Sequence, residues 1–368
     1  MKRILYLTGY PAPYRVAYFD VLGRDTDLTV LFADRKEDQA HRSQDWFIQG
    51  AGNFRAVQLE KRVTAMRGGY LCLDVVQWLK QKWDVIVLCG YSSPTVMLAM
   101  AYLKARRIPF WMEVDGGLIR PDSKPKYLFK KTLVSAASGW LSTGKATTKY
   151  LVHYGAREEK VYEYPFSSLH EADMPQCGLN AQEKTAMRRE LGLCDGKMIL
   201  SIGQFIHRKG FDILLRAAAK LSPDVYIYIV GGVPTEEYQQ MCREWNLQNI
   251  HFEGFMPKNQ LLKYYQAADL FVLPTREDIW GLVINEAMAY SLPVITTDRC
   301  VAGLDLVENG VNGYIVPVED SDALAEKIDL LFTQNYLEMG EISREKIQPY
   351  TIENMAKTHL KIFEAVSL

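Results

Sequence analysis

Two kinds of apolar pattern alternate along this chain. Short β-rich runs recur at 3–9 (RILYLTG), 28–34 (LTVLFAD), 84–91 (DVIVLCGY), 109–116 (PFWMEVDG) and 139–144 (GWLSTG). Between them lie segments with apolar residues at helical spacing, such as 70–83 (YLCLDVVQWLKQKW) and 93–107 (SPTVMLAMAYLKARR). Strands alternating with helices predict a parallel sheet covered on both faces. The rhythm weakens between about 167 and 197, a polar stretch carrying Pro175 and Gly178 that reads as an interdomain connection. It then restarts at 197–203, 225–232, 251–255, 269–275, 292–298 and 313–318. Two consecutive alternations predict an α/β fold of two Rossmann-like domains whose parallel sheets face a cleft. The domains are expected at 1–170 and 197–347, with a linker at 171–196 and a separate closing segment at 348–368.

Composition adds mainly exclusions. A chain of 368 residues is long for one core and suits two domains. It is 48% hydrophobic and 24% charged with a net charge of -1, so the basic excess of a nucleic-acid binder is absent. The opening MKRILYLTGY is too short for a signal peptide and reads as a first strand. No apolar stretch approaches the roughly 20 residues of a membrane helix. Six scattered cysteines without a C-x-x-C pair read as reduced side chains of a cytoplasmic protein, not as metal ligands.

Open α/β sheets bind ligands beyond the carboxyl ends of their strands, so the loops there carry the candidate chemistry. In SIGQFIHRKGFDILLRAAAKL (201–221), Arg208 and Lys209 precede a helix expected to begin at Gly210. Cations beside a helix amino terminus would make a phosphate site, and His207 adjoins them. A solvated basic pair ahead of an amphipathic helix is the plain alternative. A second such terminus follows in PTREDIWGLVINEAMAYSLPVI (274–295), near Trp280 and Gly281. There a residue without a side chain would let an anion approach the amides of Leu282 and Val283. Leu282, Val283, Ile284, Ala287, Met288 and Ala289 leave no wide polar face, so Glu286 is expected to be buried. A buried carboxylate needs partners, either sugar or ribose hydroxyls or backbone amides.

These residues resemble the retaining glycosyltransferases of family 4, which have the GT-B fold. The signature E-x7-E, within P-S-x-x-E-x-F-G-L-x-x-x-E-A-M-A, is matched by Pro274 to Leu282 and Glu286 to Ala289. The G-R-x-x-x-x-K-G loop is matched from Gly203-Gln204 to Lys209-Gly210. Further matches are Gly231-Gly232, 254–275 (including Phe255) and 308–328. The resemblance is dense in the second half and looser in the first. It implies a nucleotide sugar in the second domain, with UDP the expected nucleotide, and a saccharide or polyprenyl-linked acceptor. Lys209 would hold the diphosphate, Glu286 the ribose, the amides of Leu282 and Val283 a phosphate, and the first acid the transferred sugar. Gly203, Gln204, Gly232, Phe255, Trp280 and Gly281 complete the expected donor site. The segment 350–366 would form a helix crossing back to the first domain.

Three departures stand out. Spacing from Glu286 selects Asp278 rather than Glu277, one methylene short of the family's glutamate. Gln204 replaces an arginine, leaving Arg208 as the substitute cation, and Trp280 replaces a phenylalanine.

In the first half, Tyr14 and Arg15 of YPAPYR (10–15), and Tyr91, are acceptor-side candidates. Glu113 and Asp115 of WMEVDGG are candidates to orient or deprotonate an acceptor hydroxyl, with loop capping as the alternative. The D-x-D at 320–322 is expected to cap a helix. Neither a metal nor any other cofactor is expected. The segment 124–141, with four lysines, Tyr127, Leu128 and Phe129, reads as a surface helix or as a contact with an inner-membrane face. The overall expectation is a metal-independent, retaining hexosyltransferase of surface polysaccharide synthesis, catalysed through Asp278, Lys209 and Arg208. A non-catalytic nucleotide-sugar binder is the rival.

Overall fold

After exposed Arg3, the next five residues of the first strand are all buried, and this pattern explains why the apolar runs become sheet and not surface ladder. Strands buried on both faces have no polar side to show. The computed structural model describes residues 1–34, 52–60, 63–66 and 68–366. It divides into two compact units, Met1–Glu171 with Tyr350–Leu368, and Ala172–Pro349.

The first unit is built on strands β1 (Arg3–Thr8), β2 (Asp27–Phe32), β3 (Arg55–Gln58), β6 (Val85–Cys89), β7 (Trp111–Val114), β8 (Gly139–Ser142) and β9 (Val161–Glu163). They pair in parallel in the order β3-β2-β1-β6-β7-β8-β9. The order reverses between β1 and β6, and the loops after these two strands flank the switch point. Between β3 and β6, β4 (Val63–Met66) and β5 (Gly69–Cys72) form an antiparallel hairpin. The stretch 70–83 is therefore not one helix. Thr95 draws its start into a strand, its hydroxyl accepting from the Cys72 amide at 2.9 Å and donating to the Tyr70 carbonyl at 2.5 Å. Helix covers only Val75–Leu79. The final helix, Ile352–Ala365, belongs to this unit. The Ile352 amide donates to the Leu169 carbonyl at 2.8 Å. Buried His359 and Phe363 pack on Tyr18 and Trp111, with ring centroids 5.2 and 5.8 Å apart.

The second unit has a six-stranded parallel sheet of β10 (Lys197–Ile202), β11 (Val225–Val230), β12 (Ile250–Glu253), β13 (Leu270–Leu273), β14 (Val294–Thr297) and β15 (Gly313–Val316). Its order is β12-β11-β10-β13-β14-β15, which places a switch point between β10 and β13. The stretch 171–196 lies almost wholly in this unit and contains the helix Ala181–Glu190, started by an Asn180–Glu183 capping box. Two cations of this polar stretch, Lys184 and Arg188, lie inside the protein. Arg188 pairs with Asp269, both at most 6% exposed, and donates through Nε to the Ala267 carbonyl at 2.9 Å. Lys184, also buried, donates to the Ala268 carbonyl. Removing Arg188 would strand Asp269 as a buried, uncompensated charge. Arg188→Met is expected to cost about 3 kcal/mol in urea unfolding; a loss under about 1 kcal/mol would mean the helix is a loose tether.

Candidate functional site

Two loops meet at the switch point of the second sheet. The first leaves β10 at Gly203 and tightens into a 3-10 turn, His207–Lys209. Gly210 ends that turn at φ 69°, and a Cβ there would lie 2.1 Å from the Pro274 carbonyl oxygen, so this position admits only glycine. The second loop, 274–281, follows β13. Reciprocal bonds join the two. The Arg276 amide donates to the Arg208 carbonyl at 2.8 Å, and Arg208 Nη1 donates to the Glu277 carbonyl at 2.7 Å. The Thr275 hydroxyl lies 2.9 Å from both carbonyls.

This arrangement brings Lys209 Nζ to Asp278 Oδ2 at 2.6 Å, with the two side chains 13% and 14% exposed. Arg208 Nη1 lies 3.6 Å from Asp278 Oδ1. Of the two leading acids, Asp278 is the one set against the cations. Its backbone is fixed as well, since its amide donates to the Arg299 carbonyl at 2.9 Å and its carbonyl accepts from the Val301 amide at 3.1 Å. The cations therefore reach the site from the turn before the helix Phe211–Ala218. The first turn of that helix holds a carboxylate of its own, Asp212, bound by both Nη atoms of Arg276 at 2.7 Å. Burial alone would raise the Asp212 pKa, but Arg276 overrides it and holds the carboxyl below its usual range.

The helix Leu282–Ala289 begins at Gly281, and no N-cap side chain bonds its first turn. Gly281 is required for a reason different from the one expected. Its φ is 103°, and a Cβ would point inward, 2.9 Å from Cys300 Sγ, not outward to an anion. Glu286 also departs from expectation, because it is half-buried. Ile284, Asn285, Ala287, Met288 and Ala289 are buried, whereas Leu282, Val283 and Glu286 form a partly open strip. Residues three and four apart share a helix face, so this strip runs along the helix from its positive end. Glu286 Oε2 accepts from the buried Tyr265 hydroxyl at 2.8 Å. Trp280 is 3% exposed and donates to Asn285 Oδ1 at 2.9 Å, so it braces the helix start from within. Gln204 is exposed on the first loop. Beyond β11 and β12, Gly232 lies against the ring of Phe255, which is 74% exposed.

In the first unit, Arg15 is not an open cleft residue. It is 3% exposed, and its Nη1 donates to Glu113 Oε1 at 2.6 Å while Nη2 pairs with Asp115. Glu113 is fully buried and also accepts from the Tyr164 hydroxyl at 2.9 Å. Burial would raise its pKa, yet Arg15 holds it below the usual range. An acid enclosed in this way cannot meet an acceptor hydroxyl, so Glu113 is a partner of Arg15 and not a general base. Asp115, 36% exposed, is the accessible member. Burial raises its pKa, Arg15 pulls against that, and Glu113 adds to it. Tyr14 stacks edge-on against Phe166 at 5.7 Å, and the hydroxyls of Tyr91 and Tyr150 are hydrogen-bonded.

Asp320 caps the helix Ser321–Thr333 through the amides of Asp322 and Ala323. Among the described residues no group of three or more His, Cys, Asp or Glu could hold a metal ion, and no helix is long and apolar enough to cross a membrane. Helix Lys124–Val134 buries only Val134 and exposes Leu128 and Phe129. Two further residues of the site, Arg276 and Tyr265, carry no motif of their own in the sequence. Arg276 stood in plain view between Pro274 and Asp278, but its partners lie 43 to 69 positions away.

Residues 183–353 match the family model described as glycosyl transferases group 1. An uncharacterized glycosyltransferase of Methanocaldococcus jannaschii is 28% identical over 329 residues, 84% of this chain and 80% of the relative. A D-inositol 3-phosphate glycosyltransferase of Xylanimonas cellulosilytica is 26% identical over 307 residues, 81% of this chain and 66% of the relative. The crystal structure of HepE from Anabaena, in complex with UDP and glucose, superposes with a TM-score of 0.75 at 17% identity over 100% of both chains. The structural likeness shows the GT-B fold of two Rossmann-like units, and the family match and relatives support glycosyltransferase activity.

Proposed function

We propose that the chain is a retaining, metal-independent glycosyltransferase that moves a hexose or N-acetylhexosamine from a UDP-sugar to a saccharide or polyprenyl-linked acceptor. One observation carries the reading. Lys209, Arg208, Asp278 and the open strip Leu282–Val283–Glu286 converge at the carboxyl edge of one sheet, at its switch point. The UDP bound by HepE supports the choice of nucleotide.

In this reading the diphosphate lies against Lys209 and Arg208, with the amides of Leu282 and Val283 below it. Glu286, oriented by Tyr265, takes the ribose hydroxyls. Phe255, beside Gly232, offers its face to the base. Asp278 addresses the transferred sugar. Breaking the anomeric bond puts charge on the departing diphosphate, and fixed cations in a partly dry site stabilise that charge without reorganising. Lys209 turns from Asp278 to phosphate as the donor binds, before the anomeric bond breaks, which frees the carboxylate for sugar hydroxyls. On the acceptor side, Asp115 orients the attacking hydroxyl while Arg15 and Glu113 hold it in place.

Thermal-shift measurements test the site. A ligand at 100 times its Kd adds about 2.7 kcal/mol, a rise of several degrees for a unit of this size. A UDP-sugar is expected to raise the wild-type Tm in this way, more than GDP- or ADP-sugars do. Lys209→Ala and Glu286→Ala should each lose most of the shift. An undiminished shift in both variants would sink the site assignment.

A seat on an anionic membrane face belongs to the same proposal. Leu128 and Phe129, 59% and 54% exposed, stand among Lys124, Lys126 and Lys131. Sedimentation with vesicles of anionic, but not zwitterionic, phospholipid is expected; equal partition with both would remove this part.

A further inference from the structure

Arg276 is the side chain on which both loops of the candidate site converge. Its guanidinium spends all its N–H donors within the protein. Nη1 donates to the His207 carbonyl and to Asp212 Oδ1, each at 2.7 Å. Nη2 donates to Asp212 Oδ2 at 2.7 Å and to Glu319 Oε2 at 3.0 Å, and Nε bonds Glu319 Oε1. Five donors in a rigid planar fork are what an arginine has, and lysine has only three on one atom. The side chain is 13% exposed, so these bonds are partly shielded from water.

Where the bonds go is informative. His207 opens the turn that presents Arg208 and Lys209. Asp212 lies in the first turn of the helix that follows the same loop. Glu319 sits just beyond β15 on a backbone with φ 66°. Arg276 itself lies two positions before Asp278. One side chain thus fixes three strand-end loops to each other while touching none of the groups expected to meet a nucleotide. We infer that Arg276 is a positioning residue that sets the cation pair Arg208–Lys209 for a diphosphate, with Asp212 as its anchor. It is the phosphate part of the ligand, and not the nucleoside, whose binding depends on this clamp.

The inference rests on the nucleotide site proposed above, and the experiment separates the two. UDP, GDP and ADP are titrated into the wild-type chain by calorimetry. The tightest of them and its bare nucleoside are then compared in Arg276→Lys and Asp212→Asn, with melting temperatures recorded for each protein. Diphosphate affinity should fall about tenfold in each variant, the scale of a lost charge-assisted contact, with nucleoside affinity unchanged. The double variant should fall by no more than about twofold beyond the worse single, since the two residues act through one clamp. Glu319→Gln alters only the exposed partner and should give the same selective loss at about threefold. It serves as the test should the other variants fail to fold. Unchanged diphosphate affinity in the variants, or a parallel loss of nucleoside affinity, would overturn the role of Arg276 alone. A wild-type chain that binds none of the three diphosphates would overturn the nucleotide site, and this inference with it.

Discussion

Lys209 and Asp278 lie 69 positions apart in the chain, yet their side chains meet at 2.6 Å in a site that is mostly closed to water. That contact rests on the bonding between the loops after β10 and β13, which is the constraint the site depends on. Opposite charges at this distance interact strongly only when water is partly excluded and neither partner must be ordered from scratch. Both conditions come from the backbone. Gly210 lets the first loop press against Pro274, and carbonyls and amides of residues 208, 276 and 277 bond across the gap. The ion pair is the product of a stitched scaffold and does not itself build it.

The first unit solves a related problem with different parts. A parallel sheet has no wet face on which to leave a charge, so Arg15 and Glu113, both inside, pair with each other, and Glu113 also accepts from the Tyr164 hydroxyl. Replacing Arg15 alone would leave Glu113 as an uncompensated charge in the core, whereas Arg15 keeps Asp115 as a second partner. The consequence for chemistry is selective: the inner acid is locked, and Asp115 at the margin is the one left for solvent.

Much of this was legible in the sequence. The strands read from the apolar runs stand within about two residues of them, because strands buried on both faces leave an unbroken signal. The partly exposed edge strands β3 and β9 match no run. The spacing from Glu286 selected Asp278, and the structure places that acid on Lys209. Errors arose where local pattern competes with distant partners. Residues 70–72 have helical apolar spacing, but Thr95 and the facing strand Val63–Met66 hold them extended. Glu286 is expected to be buried because its helix is apolar all round, yet it lies with 282 and 283 on a partly open strip. The polar stretch 171–196, with Pro175 and Gly178, reads as a connection, yet its Arg188 is buried against Asp269, 81 positions later. Arg276 gave no signal because its value depends entirely on where His207, Asp212 and Glu319 fall in space.

In the proposed function, the charged site at the second switch point drives transfer of a sugar and does not merely hold a nucleotide. The direct measurement is proton NMR of the anomeric signals in a mixture of a UDP-sugar and saccharide acceptors. The wild-type chain is predicted to convert the donor signal into that of a glycoside of the same anomeric configuration with release of UDP, and Lys209→Ala is predicted to leave the donor unchanged. A wild-type protein that binds the UDP-sugar yet leaves its anomeric signal intact with every acceptor offered would contradict the claim and establish the chain as a binding protein.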